Sequence, residues 1–293
     1  MKVFVTGGTG LIGRALVKRL LADGNDITVL TRQSLDSSET ATYINSIDDL
    51  DTRQDIVVNL AGAGLADRRW SPAYKKEIHT SRIDLTQALV SRLRNIGMPD
   101  LLISGSAIGF YGESKERDFS ETDAVGSGFS AELCRDWEAS VSDIGSKSTR
   151  CVLLRTGVVL DRALGAYPQM TQSFRFGLAS WMGQGDHWLS WIHLADMVGA
   201  IMHCIQNEAV SGPVNMTAPN PVTHRSFSDE VRNATNTLVG LGVPGWVMRL
   251  MVGEMADELL LTGQQVMPTK LLSTGYQFRF GDLKDAIADL EAR

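Results

Sequence analysis

Residues 1–19 read MKVFVTGGTGLIGRALVKR, and their order decides the fold. A short apolar run, Lys2 to Val5, leads straight into Thr6-Gly7-Gly8-Thr9-Gly10-Leu11-Ile12-Gly13. Helix formers follow, with apolar side chains at Leu11, Ile12, Ala15, Leu16, Val17, Leu20 and Leu21. Strand, glycine-rich turn and helix in that order open a dinucleotide-binding unit. Gly8, Gly10 and Gly13 give the G-x-G-x-x-G spacing, and Gly7, Gly10 and Gly13 its wider variant. One glycine permits a turn that a Cβ would block, one lets backbone N–H groups approach a pyrophosphate, and one lets the helix pack close on the strand. The helix start then offers free N–H donors and a positive dipole end. The glycine spacing alone is weak, and a tight turn without a ligand is the competing reading. The strand before it and the amphipathic helix after it favour the cofactor.

Working outward, the composition sets broad limits. The 293 residues suffice for one large core or two joined ones. Hydrophobic content of 43% and charged content of 21% are those of a soluble globular chain. A net charge of −6, without a block of lysines and arginines, argues against nucleic acid as the partner. No apolar run reaches a membrane span, and the first one is too short for a signal peptide, so it reads as a strand. Cys134, Cys151 and Cys204 are far apart and fit no zinc spacing, which points to reduced thiols in a cytoplasmic protein without a metal.

Asp26 to Thr31 (DITVLT) reads as the second strand, with Arg32 directly after it. An NAD-preferring unit places a carboxylate here for the ribose 2′-hydroxyl. Thr31-Arg32-Gln33 holds no acid, whereas a guanidinium pairs with a 2′-phosphate. The reading is NADP(H) over NAD(H); the bland alternative is an arginine that solvates a strand end. The serine-rich stretch Ser34 to Thr42 reads as a surface loop. Asp55 to Leu60 (DIVVNL) is a strand buried on both faces, ending in the small residues Ala61 to Gly64.

Lys75 to Arg94 has one helical pattern and carries Glu77 and Arg82. Leu101 to Ser104 is a strand that runs into Gly105-Ser106-Ala107-Ile108-Gly109-Phe110-Tyr111-Gly112, with hydroxyls where open α/β sheets bind substrates. Cys151 to Leu154 is a further strand, followed by Arg155-Thr156-Gly157-Val158-Val159-Leu160. From about residue 161 the alternation becomes irregular. The fold class is α/β: a Rossmann-type doubly wound parallel sheet over residues 1–160, also taking in roughly 190–215. Residues 161–293 form a smaller mixed lobe.

Taken together, the motifs resemble those of the extended short-chain dehydrogenase/reductases, in the atypical branch called epimerase family proteins. They are TGGTGLIGR at Thr6 to Arg14, NLAGA at Asn59 to Ala63, RRW at Arg68 to Trp70, Ser81-Arg82, RTGVVL at Arg155 to Leu160, SWIHLAD at Ser190 to Asp196, and the tail from Gly253 to Phe280. The resemblance covers nearly the whole chain. It implies NADP(H) held by the turn Thr9-Gly10-Leu11-Ile12, by Thr31 and Arg32, and by the strand end Asn59-Leu60-Ala61. It also implies contacts from Glu77 and Arg82, and backbone near Val159 at the nicotinamide end.

One departure bears on activity. The superfamily works with a serine and with a tyrosine four residues before a lysine, whose cation helps to lower the tyrosine pKa. Ser106 matches the serine, but the tyrosine place falls on Ser130, the lysine place on Cys134 and the usual asparagine place on Arg82. Tyr111 is the nearest replacement acid, provided that it faces the cleft; otherwise it is a packed core aromatic. His193 reads as structural, Asp196 as a helix-start carboxylate, and His187 as a substrate neighbour. Trp181, Trp188 and Trp191 form either an aromatic wall or core.

The resulting expectation is hydride transfer between NADP(H) and an unknown small carbonyl or alcohol, with Ser106 and Tyr111 as catalytic residues. Two alternatives stand beside it: a non-catalytic NADP(H) sensor, and a sugar epimerase with a non-standard base. A homodimer is compatible with the sequence.

Overall fold

The computed structural model describes residues 1–38, 41–144 and 149–292. Its centre is a seven-stranded sheet of β1 (Lys2–Thr6), β2 (Asp26–Leu30), β3 (Ala41–Ile44), β4 (Ile56–Asn59), β5 (Leu101–Ala107), β6 (Arg150–Thr156) and β7 (Gly212–Met216). The spatial order is β7-β6-β5-β4-β1-β2-β3, and every neighbouring pair is parallel. Such a sheet must be covered on both faces, which is why its strands read as apolar runs. Val3, Val5, Ile27, Ile103 and Leu154 meet α1 (Leu11–Ala22) and the later helix α5 (Leu194–Gln206) on one side. Phe4, Val57 and Leu102 meet Leu89, Val90 and Leu93 of α3 (Ile83–Ile96) on the other.

The strand order reverses between β1 and β4, so a crevice opens where the two carboxyl ends part. Open α/β sheets bind their ligands there.

The remaining chain surrounds a second core of Leu160, Tyr167, Phe174, Trp191, Phe227 and Ile287, to which α6 (His224–Thr235) and α8 (Leu283–Ala292) contribute. A further helix, α7 (Gly245–Val252), lies at the surface.

Several readings of the sequence change here. The loop read from Ser34 to Thr42 gives way to β3 at Ala41, because Ser37 and Ser38 accept the Tyr43 and Ala41 N–H groups and steer the chain onto the sheet edge. Glu39 and Thr40 lie outside the described residues. The single helix over Lys75 to Arg94 is two, α2 (Pro72–Thr80) and α3, broken at Ser81-Arg82. Ser81 Oγ donates to the Ile78 carbonyl and accepts from Ala63 N–H, and this polar clamp ends the first helix. β7 carries Pro213 and is tolerated because it is an edge strand.

Candidate functional site

The glycine turn lies directly in the crevice. Gly7 has φ +70°, and a Cβ there would sit 2.7 Å from the Leu60 carbonyl carbon across the gap to β4. A Cβ on Gly13 would come within 2.2 Å of the Gly7 oxygen, so α1 can press onto the turn only with glycine there. Thr6 Oγ donates to Asn59 Oδ1 at 2.7 Å and accepts from Ala61 N–H at 3.1 Å, tying the ends of β1 and β4 together. The Asn59 amide also donates to Thr86 Oγ1 at 2.8 Å. The Asn59 side chain is thus fully buried in a brace; what this strand end presents to the crevice is Leu60 and Ala61.

The start of α1 differs from those of α2 and α6. Ser71 caps α2 and Thr223 caps α6 with side-chain oxygens. Gly10 provides no such cap for α1, and no acid lies in its first turn. Unpaired N–H donors with no carboxylate nearby suit a pyrophosphate. Leu11 and Ile12 line that first turn, half-buried, and Thr9 is half-buried before it. The loop after Val158–Leu160 closes over it, since a Cβ on Gly165 would lie 2.8 Å from Leu11 Cδ2. Val159 sits in that strand, paired in parallel with Ile192.

At the far end of β2, Thr31 is buried and its hydroxyl accepts from Gln33 N–H, while Asn45 donates to the Thr31 carbonyl at 2.7 Å. These bonds fix the turn that projects Arg32 into solvent, where it forms no ion pair among the described residues. Glu77 is exposed and lies 3.6 Å from Arg68.

Arg82 sits on the other side of the β4 end, buried. Its guanidinium donates to the Ile78 and Ala63 carbonyls, lies 5.2 Å from the Trp137 ring centroid, and leaves Gly62 no room for a Cβ. Burial lowers its pKa, and its charge faces the Cys134 thiol. Cys134 is itself buried, which pushes its thiol up to about 11 and keeps it neutral.

The β5 end is organised differently. Ser106 Oγ donates to Glu138 Oε1 at 2.7 Å. Arg155 grips the same carboxylate through Nε at 2.8 Å and Nη2 at 2.9 Å, a two-point pair in which Arg155 is buried and Glu138 keeps a little exposure. Arg155 Nη1 donates to the Tyr111 hydroxyl at 2.9 Å, and that hydroxyl donates to Asn215 Oδ1 at 2.6 Å. Asn215 N–H and Lys270 N–H both donate to Glu121 Oε1. The expectation that Tyr111 faces the cleft is therefore corrected. The ring is 2% exposed and stacked on Phe119, and burial raises the phenol pKa despite the Arg155 cation.

Ser130, at the tyrosine place, starts α4 (Phe129–Ala139), and Glu258 from the tail accepts its N–H and that of Phe129. The tail then crosses the sheet ends. Gln264 donates to the Ile108 carbonyl, Ser190 holds Gln264 and Val266, and Thr217 donates to the Val266 carbonyl. The sequence reading singled out none of Glu121, Glu138, Asn215 and Glu258. A signal was present for Arg155 alone: a charge inside the apolar run CVLLRTGVVL.

Asp196 lies in the first turn of α5, the helix-start carboxylate that the sequence suggests, and it also accepts from Tyr276 Oη, Arg279 N–H and Phe280 N–H, so it docks the tail. His193 Nδ1 caps α5 by accepting from Ala195 N–H. Trp191 is fully buried core and donates to the Asn220 carbonyl, so it walls no cleft. His187 is buried, with its ring 5.0 Å from that of His224.

Residues 3–140 match the NAD dependent epimerase/dehydratase family, and residues 243–290 match a domain of unknown function, DUF1731. An epimerase family protein of Mycobacterium bovis, Mb2239, is 38% identical over 289 residues, covering 97% of this chain and 96% of its own. The chain belongs to the epimerase family proteins. A chloroplastic SDR39U1 homolog of Arabidopsis thaliana is 35% identical, covering 98% of this chain and 86% of its own. The crystal structure of human epimerase family protein SDR39U1 with NADPH superimposes with a TM-score of 0.92 at 31% identity, covering all of both chains. A UDP-N-acetylglucosamine 4-epimerase from Methanobrevibacter ruminantium, at 16% identity and a TM-score of 0.81, shares the fold.

Proposed function

We propose that this chain binds NADP(H) across the β1–β4 crevice and supports hydride transfer between the cofactor and a small carbonyl or alcohol. The observation that carries the reading is the uncapped, acid-free start of α1 against a turn that only glycine can form. The Arg32 cation, the fit of Thr31, Leu60 and Ala61 around the crevice, and NADPH in the human relative support the phosphorylated cofactor. Arg82, held by two carbonyls, supplies a fixed cation beside the place where a lysine is missing. When bound, the cofactor supplies the nicotinamide that takes or gives the hydride.

Ser106 would meet the reacting oxygen at the end of β5. Its hydrogen is directed at Glu138, so it accepts from a substrate hydroxyl more readily than it donates to an oxyanion. The proton then passes along Ser106 to Glu138 or an ordered water, with Tyr111 held outside the reaction by Arg155 and Asn215.

A second reading has its own support. Both candidate hydroxyls, Ser106 at the family's serine place and Tyr111 as the nearest replacement acid, are engaged within the protein, and burial keeps the Cys134 thiol neutral. That arrangement suits a protein that senses NADP(H) without turnover. A carbonyl panel at saturating NADPH, followed by nicotinamide absorbance, separates the two. Turnover of at least one carbonyl, lost in Ser106→Ala while NADPH still binds, supports the oxidoreductase. Tight NADPH binding with no turnover across the panel supports the sensor.

A further inference from the structure

Residues 238–252 read LVGLGVPGWVMRLMV, a stretch with a single charge in a chain where 21% of residues are charged. Its composition is that of a core, yet α7 contains no buried residue. Leu238 is 92% exposed and Trp246 66%, and Leu241, Leu250 and Met251 are each more than half exposed. Phe176, 85% exposed, joins them. The strand Val239–Val243 pairs with Leu178–Met182 in the register Val239↔Leu178, which sets Leu238 next to Phe176 and Gly177 at the start of the neighbouring strand.

Strand alternation explains the exposed face. Gly240 and Gly242 turn inward, where a Cβ would press on the Trp181 ring, so Val239 and Leu241 point outward. The strand pairs along one edge only, and the other edge carries no strand among the described residues. An open, apolar edge of this kind is a template for another strand.

We infer that this face docks a second copy of the chain, with Val239–Val243 pairing antiparallel across a two-fold axis and α7 packing on its counterpart. Three observations favour a copy over other occupants. Phe176 and Trp246, at about 150–250 Å² for a whole aromatic side chain, together with Leu238, Val239, Leu241, Leu250 and Met251, each more than half exposed, bring this patch to the scale of one partner's share of a standard interface, about 800 Å². The one charge of residues 238–252, Arg249, is bonded to Asp257 at 2.9 Å, so this stretch brings no unpaired like charges to the dyad. A lipid surface attracts helices with a lysine- and arginine-rich polar face, which α7 lacks, and the net charge of −6 is repelled by anionic bilayers. This inference is independent of the cofactor reading.

Light scattering on the full chain during gel filtration tests it, with wild type beside Leu241→Lys and Leu250→Glu. Both positions are exposed, so the variants should keep the wild-type far-ultraviolet spectrum and NADPH affinity. The expected result is a wild-type dimer, monomeric variants, and slowed amide exchange over residues 239–243 in the dimer alone. A wild-type monomer at the highest soluble concentration overturns the inference, as does a dimer that both variants leave intact. Binding of monomeric wild type to phosphatidylcholine/phosphatidylserine vesicles, lost in Leu250→Glu, overturns it in favour of lipid.

Discussion

The two ends of the crevice follow opposite strategies. Around β1 and β4 the protein keeps donors unpaired: an uncapped helix start, a turn cleared of Cβ atoms, and an arginine projecting into solvent. Around β5 and β6 the polar side chains answer one another in a closed network, Ser106 to Glu138 to Arg155 to Tyr111 to Asn215. Holding a dinucleotide asks mainly for backbone geometry, whereas moving a proton asks for a side chain with a free position and a tuned pKa. This chain retains the first set of requirements and has turned much of the second into structure. The buried ion pair is tolerable because both partners make further hydrogen bonds, which offset their desolvation.

The comparison breaks most visibly at the ion pair. Glu138→Ala leaves the Arg155 guanidinium buried without its carboxylate, and should cost about 3–5 kcal/mol of stability by urea denaturation. A loss near zero would mean that the β5 network is not structural. Replacing both partners by leucine should recover much of that loss. Next comes Gly13→Ala, which drives a methyl into the Gly7 carbonyl. It should cost about 1–3 kcal/mol of stability and abolish detectable NADPH binding, read by thermal shift with and without cofactor. Retained binding would place the cofactor elsewhere.

The smallest effect sharpens the contrast at the lysine place. Cys134 and Cys151 are pushed up to about 11, and Cys204 to about 12, by burial. At pH 7.5 the folded protein should therefore label negligibly with a thiol reagent, and all three thiols should react after unfolding. Linkage gives the matching sign. Between the ordinary thiol value of 9.0 and about 11, the fold keeps protons that the unfolded chain has lost, so stability should fall as pH rises through that window. Rapid labelling of native Cys134 near neutrality would reveal an ionised thiol in the relay region.

The cofactor end of the crevice was legible in the sequence because its determinants are local. Gly7, Gly10 and Gly13 are fixed by a turn a few residues long, and Arg32 stands directly after the strand that aims it. The network at β5 was not legible, since Glu138 comes from α4, Asn215 from β7 and Glu121 from the loop that precedes α4. No spacing rule relates those positions, which meet only after the sheet is assembled. Tyr111 illustrates the same limit: its place after the Ser106 strand suggested the cleft, but Arg155, 44 residues on, draws the hydroxyl inward. β3 was hidden because two serines, residues that mark loops, here hold a strand to the sheet edge.

The most direct test of the retained half is a calorimetric titration with NADPH and NADH, on wild type and on Arg32→Ala. NADPH should bind wild type tighter than NADH by about 1.5–3 kcal/mol, the strength of a hydrogen bond to a charged group, or roughly ten- to a hundredfold. In Arg32→Ala that advantage should disappear while NADH binding is unchanged. Equal affinity of wild type for the two cofactors, or no binding of either, would contradict the NADP(H) assignment.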